Sequence, residues 1–165
     1  MKGSPAVDQT DLALLECLQD DLPLVPRPWQ VLAGKLGITE EDVLERLRRL
    51  TGAGIVRGIS PVLESRPLGL SAATLVAFRV PEERVNEVAA VVSSCPEVSH
   101  NFQRENPYNL WFTITTKDRG AVDRVLGKIL ETTGIPDSDV LDLPTLRRIK
   151  IDVRFRFSRP AGEDV

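Results

Sequence analysis

The sequence predicts an α+β protein in two parts: a winged helix-turn-helix domain over residues 1–66 and a ferredoxin-like βαββαβ domain over residues 67–165. Two observations carry this. Up to Leu50 the apolar residues recur at helical spacing, and prolines or glycines end each run. From Ser71 onward short strand-like segments take turns with helical ones. Their order is strand, helix, strand, strand, helix, strand, the split βαβ arrangement.

The first helix carries Leu12, Leu15 and Leu18 on one face, with Asp8 or Thr10 as its cap. Prolines 23, 26 and 28 end it. A short helix follows from about Trp29 to Lys35 and stops at Gly37. The third, ITEEDVLERLRRL, opens on Thr39 with Asp42 three residues later, an acidic form of the capping box. Val43, Leu44, Leu47 and Leu50 form its buried stripe. Gly52 and Gly54 end it, and IVRGISPVL reads as a strand or wing. The boundary falls near Arg66-Pro67-Leu68-Gly69.

In the second part AATLVAFRV is a strand and PEERVNEVAAVVSS a helix opened by Pro81. EVSHNFQR and NLWFTITT are two strands joined by the turn ENPY. DRGAVDRVLGKILETTG is a helix with Val122, Val125, Leu126 and Ile129 inward and Gly134 as its stop. DVLDLPTL and RIKIDVRFRF complete the set as strands. In the last, Ile149, Ile151, Val153, Phe155 and Phe157 alternate with Lys150, Asp152, Arg154 and Arg156. One face can join a core while the other offers a basic row; a charged sheet edge gives the same pattern.

Composition narrows the function classes. No apolar run approaches the roughly 18 residues of a membrane span. The N-terminus lacks a basic stretch followed by an apolar one, so the expected compartment is the cytoplasm. Two cysteines, Cys17 and Cys95, and one histidine exclude a disulfide framework and make a His/Cys zinc site untenable. Residues 1–65 carry seven Lys and Arg against ten Asp and Glu, whereas residues 66–165 carry fourteen of each. The basic residues 147, 148, 150, 154, 156 and 159 cluster in the tail, so an anionic ligand should prefer the second part.

The segment SHNFQRENPYNLWF, Ser99 to Phe112, gathers the only histidine, His100, the only tyrosine, Tyr108, and one of two tryptophans, Trp111. Simple alternation puts Val98, His100, Phe102 and Arg104 on one face. If that face is core, His100 points inward and needs a partner. If it lines a cavity, His100 and Arg104 stand beside a ligand. Trp111 lies opposite Leu110 and Phe112, where it can stack on a ligand or fill a subunit interface.

A winged helix joined to a ferredoxin-like sensor domain resembles the Lrp/AsnC regulators. HNFQRENPYNLWFT resembles, more specifically, the H-N-Y-x-R…Y-N-L-W-F segment of the siroheme decarboxylases. LPTLRRIKIDVRF is similar to their L-P-x-x-R-x-F-K-I-D-x-x-F segment, and TEEDVLERLRRL to their matching helix. The N-Y-x-R and PYNLWF details are more similar to the first (A-type) subunit of the two-subunit enzyme. The resemblance implies non-oxidative decarboxylation of siroheme acetate side chains to 12,18-didecarboxysiroheme, in haem biosynthesis. It implies siroheme as ligand, a related second subunit in a heterodimer, and no cofactor beyond the iron of the substrate.

Site roles follow from that resemblance. His100, Arg104 and Tyr108 become the catalytic candidates, with His100 also a possible axial ligand to the tetrapyrrole iron. Asn101, Trp111, Arg147, Arg148, Lys150 and Arg154 become substrate-binding candidates. Arginine suits a ligand with eight carboxylates, because its planar fork binds them bidentately. The rival readings are a ligand-responsive DNA-binding regulator and a non-catalytic tetrapyrrole-binding subunit. Glu40, Glu41, Asp42 and Glu45 fill the turns that a recognition helix sets against base edges between phosphate walls, which argues against DNA binding, although Arg46, Arg48 and Arg49 follow.

Overall fold

The structure is a computed structural model, and it describes residues 7–20, 22–147, 149–150 and 153–157. The chain divides into two units: residues up to 61 together with the end of the tail, and residues 62–150.

The first unit holds three helices, α1 (Gln9–Gln19), α2 (Pro28–Leu36) and α3 (Glu40–Gly52). Asp8 is the cap of α1. Its carboxylate accepts from the Asp11 N–H at 2.7 Å, and the Asp11 carboxylate accepts from the Asp8 N–H at 3.0 Å. Pro28 opens α2, and Gly37, at φ 67°, closes it in the left-handed region. The Thr39–Asp42 box caps α3 as the spacing predicts. Leu14, Leu32, Ala33, Val43, Leu47 and Leu50 form the core; Leu44, expected in the stripe, is half-buried but not part of it.

Two expected strands differ. Residues 55–63 form no strand and are mostly exposed, so the expected wing is not built. Gly58 and Pro61 interrupt the segment, and among the described residues no strand pairs with it. The expected C-terminal strand is likewise absent over residues 149–150 and 153–157, while Arg148, Ile151 and Asp152 lie outside the described residues. At Phe155 and Phe157 side chains of α1 meet the tail's backbone instead. Gln19 accepts from the Phe155 N–H at 2.6 Å and donates to its carbonyl at 3.0 Å. Glu16 accepts from the Phe157 N–H at 2.7 Å. Alternation makes a segment able to pair but does not name the partner.

The second unit is a four-stranded antiparallel sheet, β1 (Ala72–Phe78), β2 (Val98–Gln103), β3 (Leu110–Thr116) and β4 (Val140–Pro144), in the order β2-β3-β1-β4. Helices α4 (Val85–Ser93) and α5 (Arg119–Thr133) cover one face. There Val76, Phe78, Leu110, Phe112 and Ile114 meet Val85, Val88, Val92, Val122, Leu126 and Ile129. Phe78 and Phe112 pack edge to face, 4.9 Å between centroids. Asp142 ties β4 to the rest: it accepts from Thr74 and pairs with Arg119, whose guanidinium holds the Asp142 carboxyl below its ordinary range against the opposing effect of burial. Among the described residues no helix is long and apolar enough to cross a membrane.

Candidate functional site

The face of the sheet away from α4 and α5 carries Leu75, Trp111, Thr113, His100 and Phe102. Leu75 and Phe102 are 40% and 54% exposed, and Leu143, beside Leu75 on β4, is 45% exposed. With Arg104 these residues, Leu143 excepted, line a shallow concavity of about 360 Å³. Its floor is apolar and its edge carries one imidazole and one guanidinium.

His100 reaches this face because β2 is irregular. Val98 pairs with Ile114, but His100 pairs with Thr113, the next residue along β3. Ser99 is therefore an extra residue, a bulge, and it reverses the side-chain alternation. Val98 packs toward the helices, whereas His100 and Phe102 turn to the open face opposite Thr113 and Trp111. Unbroken alternation puts Val98 and His100 on one side; the bulge separates them. His100 is exposed, and its Nδ1 lies 3.0 Å from Ser99 Oγ. That contact leaves Nε2 as the nitrogen directed away from the strand.

The same reversal moves Asn101. It stands opposite Phe112 on the helix-covered face. Its amide donates to the Ala89 carbonyl at 3.0 Å and to Ser93 Oγ at 2.9 Å, fastening β2 to α4. Asn101 is thus not brought to the concavity with His100.

The turn 104–109 is held by its own side chains. Asn106 accepts from the Tyr108 N–H at 3.1 Å, and Trp111 Nε1 donates to the Tyr108 carbonyl at 2.6 Å. Arg104 N–H donates to the Asn109 carbonyl at 2.8 Å. Asn109 locks the turn onto the chain after β1, accepting from Val80 N–H at 3.0 Å and donating to its carbonyl at 2.8 Å. Arg104 leans over Phe102, its guanidinium carbon 6.0 Å from the ring centre. Tyr108 is half-buried at the end of the sheet and lies under the guanidinium of Arg79. Arg79 and Asn109 did not figure among the sequence candidates. The signal available was the placement of Arg79 at the end of a strand, which alone says nothing of its neighbour.

The tail candidates are dispersed. Arg147 and Lys150 are exposed in the second unit, after β4. Arg148 lies outside the described residues. Arg154 belongs to the first unit, where it pairs with Asp20 at 3.2 Å.

The first unit treats its cations differently. Asp11 is fully buried and paired with Arg46 at 2.8 Å and with Arg49. Burial alone would raise its carboxyl, but Arg49, the Asp8 N–H and Arg46 together lower it from 3.8 to about 2. Arg46 also pairs with Asp8, and Glu40 with Arg27.

Comparison with known proteins agrees with this architecture. Residues 67–150 match the model of the AsnC-like ligand binding domain, and residues 11–57 that of the siroheme decarboxylase NirDL-like HTH domain. The chain is 44% identical to the siroheme decarboxylase NirD subunit of Pseudomonas aeruginosa over 90% of its own length and 96% of that protein's. It superimposes on the crystal structure of the siroheme decarboxylase NirDL in co-complex with an iron-uroporphyrin III analogue, with TM-score 0.62 and 38% identity. That match covers 79% of this chain and 42% of the other, so this chain spans less than half of that one. The Escherichia coli AsnC structure superimposes with TM-score 0.79 at 18% identity, over 90% of this chain and 98% of that one, a likeness of fold.

Proposed function

The chain belongs to the siroheme decarboxylase family, and on that premise we propose that its open sheet face is one wall of the pocket where siroheme acetates lose carbon dioxide. As a siroheme decarboxylase subunit it yields 12,18-didecarboxysiroheme. The observation that carries the reading is the Ser99 bulge, which takes His100 out of the helix-packed face and sets it beside Phe102, Trp111 and Arg104.

Decarboxylation breaks the bond between the acetate methylene and its carboxyl carbon. The electron pair stays on the methylene and spreads into the macrocycle; a proton then completes a methyl group. Leu75, Phe102 and Trp111 offer the apolar floor on which a flat ring can lie. Arg104 holds the reacting carboxylate in a bidentate grip, aligned for its bond to break. His100 meets the substrate through Nε2, either as ligand to its iron or as the proton donor, and Tyr108 is the alternative donor. Arg147 and Lys150 are available to outer carboxylates, and Arg154 is engaged by Asp20 in the first unit. The net reaction is non-oxidative, so it calls on no cofactor beyond the iron that the substrate brings.

A single wall does not enclose a macrocycle. A related second subunit completes the pocket, as a heterodimer. This chain's near-complete coverage of a separate NirD subunit, against 42% of the longer NirDL chain, supports that arrangement. The helical unit no longer reads DNA. Acids fill the first turn of α3, and Arg46 and Arg49 on the same helix are bound to Asp8 and Asp11.

The test is to incubate siroheme with this chain, with and without the related subunit, and to follow substrate mass for two losses of carbon dioxide. A chain that neither binds siroheme nor supports turnover would overturn the reading. His100→Ala separates the two roles. Loss of the Soret perturbation marks an iron ligand, and retained binding without turnover marks an acid.

A further inference from the structure

The hairpin end of the sheet holds a further cation, Arg79. Arg79 directly follows β1, and its N–H donates to the Asp139 carbonyl at 2.8 Å. Its neighbours Phe78 and Val80 are buried among the helix-facing residues. Alternation therefore sends the Arg79 side chain to the side of Leu75 and Ala77, the open face. There its guanidinium carbon stands 5.0 Å from the centre of the Tyr108 ring, within cation–π range. Its carboxylate contact is to Asp139 at 3.7 Å, longer than a hydrogen-bonded pair, and the side chain is 54% exposed.

Asn109 connects this cation with the other residues of the rim. Its side chain grips both backbone groups of Val80, and its own N–H donates to the Phe78 carbonyl at 2.9 Å. Its carbonyl accepts from Arg104. One asparagine thus fixes the backbone on either side of Arg79 relative to the backbone of Arg104 and Tyr108. Arg104, which lines the concavity, and Arg79, which follows β1 at the same end of the sheet, are tied together by one turn.

We propose that Arg79 is a second carboxylate anchor for the tetrapyrrole and a specificity-determining residue, working with Arg104 to select a ring that carries many carboxylates. The proposal rests on the open face being the substrate wall. One anchor would leave a flat ligand free to pivot on the platform; two along one edge fix its rotation and so decide which acetate reaches the reacting position. The planar fork keeps two donors for a carboxylate while the guanidinium face stacks on Tyr108. A weakly held Asp139 is readily exchanged for a ligand carboxylate.

The experiment titrates the chain, together with its partner subunit, against two probes: iron uroporphyrin III, with eight carboxylates, and haem b, with two. Arg79→Met should weaken iron uroporphyrin about tenfold and haem b less than twofold, with the melting temperature held. Arg79→Lys should fall between Arg79→Met and the unaltered chain, because it keeps the charge without the fork. Unchanged affinity for iron uroporphyrin, or equal losses for both probes, would overturn the proposal. Trp111→Ala and Arg104→Met identify the level of failure. If both weaken iron uroporphyrin and Arg79→Met does not, only the Arg79 assignment falls. If neither does, the substrate wall itself is elsewhere.

Discussion

In the helical unit Asp11 is buried between Arg46 and Arg49, and Asp8 takes a further share of Arg46. In the sheet unit Arg104 stands at the rim of the open face with an aromatic ring beneath it, and Arg79 does the same over Tyr108. In the sheet unit Asp142 is held by Arg119 and Glu87 by Arg84, whereas Asp139 stands 3.7 Å from Arg79 and Glu82 and Glu105 lie near Arg104. Net charge does not reveal this contrast, because the sheet unit, residues 62–150, carries 11 Lys and Arg against 12 Asp and Glu. What makes a charged surface able to bind is which face its cations occupy and whether acids share that face.

Four experiments break or sharpen the comparison. The largest effect belongs to His100→Ala, which should lower turnover by about 10²–10⁴ with little change in melting, since the side chain is exposed. A full-rate His100→Ala enzyme would remove His100 from the chemistry and leave Tyr108 as the donor. Next comes Asp11→Ala, which removes the buried acceptor of Arg46 and Arg49 and should cost about 1–3 kcal/mol in denaturant unfolding of the helical unit, since both arginines are partly exposed and Arg46 keeps Asp8. A change below about 1 kcal/mol would mean that the network is not structural. Its pH signature follows from the sign of the shift. The folded carboxyl lies at about 2, below its ordinary 3.8, so its contribution is complete above 3.8 and disappears as pH falls through about 2.

A smaller effect is expected from Trp111→Ala. Removing the aromatic floor should weaken siroheme roughly tenfold in a Soret titration and leave the helix-side core intact. Unchanged affinity would place the indole at a subunit interface instead. The smallest effect concerns DNA. Gel-shift at low salt should give no sequence-specific complex, and a specific complex lost steeply with salt would reverse the account of α3.

The three helices of the first unit were legible, because their signals are local. The Thr39–Asp42 box, Pro28 at a helix start and Gly37 at a stop each act within one turn of chain. The same holds for α5, capped at Asp118 and ended by Gly134 at φ 65°. The buried Asp11 was not legible. An acid in a first turn is ordinarily a solvated partner of the helix dipole, and only the packing of α3 against α1 brings two arginines to it. The tail misled for the opposite reason. Its period-two pattern is that of a strand, yet Gln19 and Glu16 supply the backbone partners that a neighbouring strand would have supplied.

The sequence by itself determined the five helices α1 to α5, the strands β1 to β4, their order and the family, because caps, breakers, periodicity and long motifs are written in neighbouring residues. Tertiary structure decided which side of the sheet each candidate faces. A bulge at Ser99 arises only when β2 is laid against β3, where two residues must be accommodated opposite one. That single mismatch sends His100 to the open face, turns Asn101 toward α4 and leaves Val98 with the helices. Pairing across strands is a non-local choice, and alternation read along one strand cannot contain it.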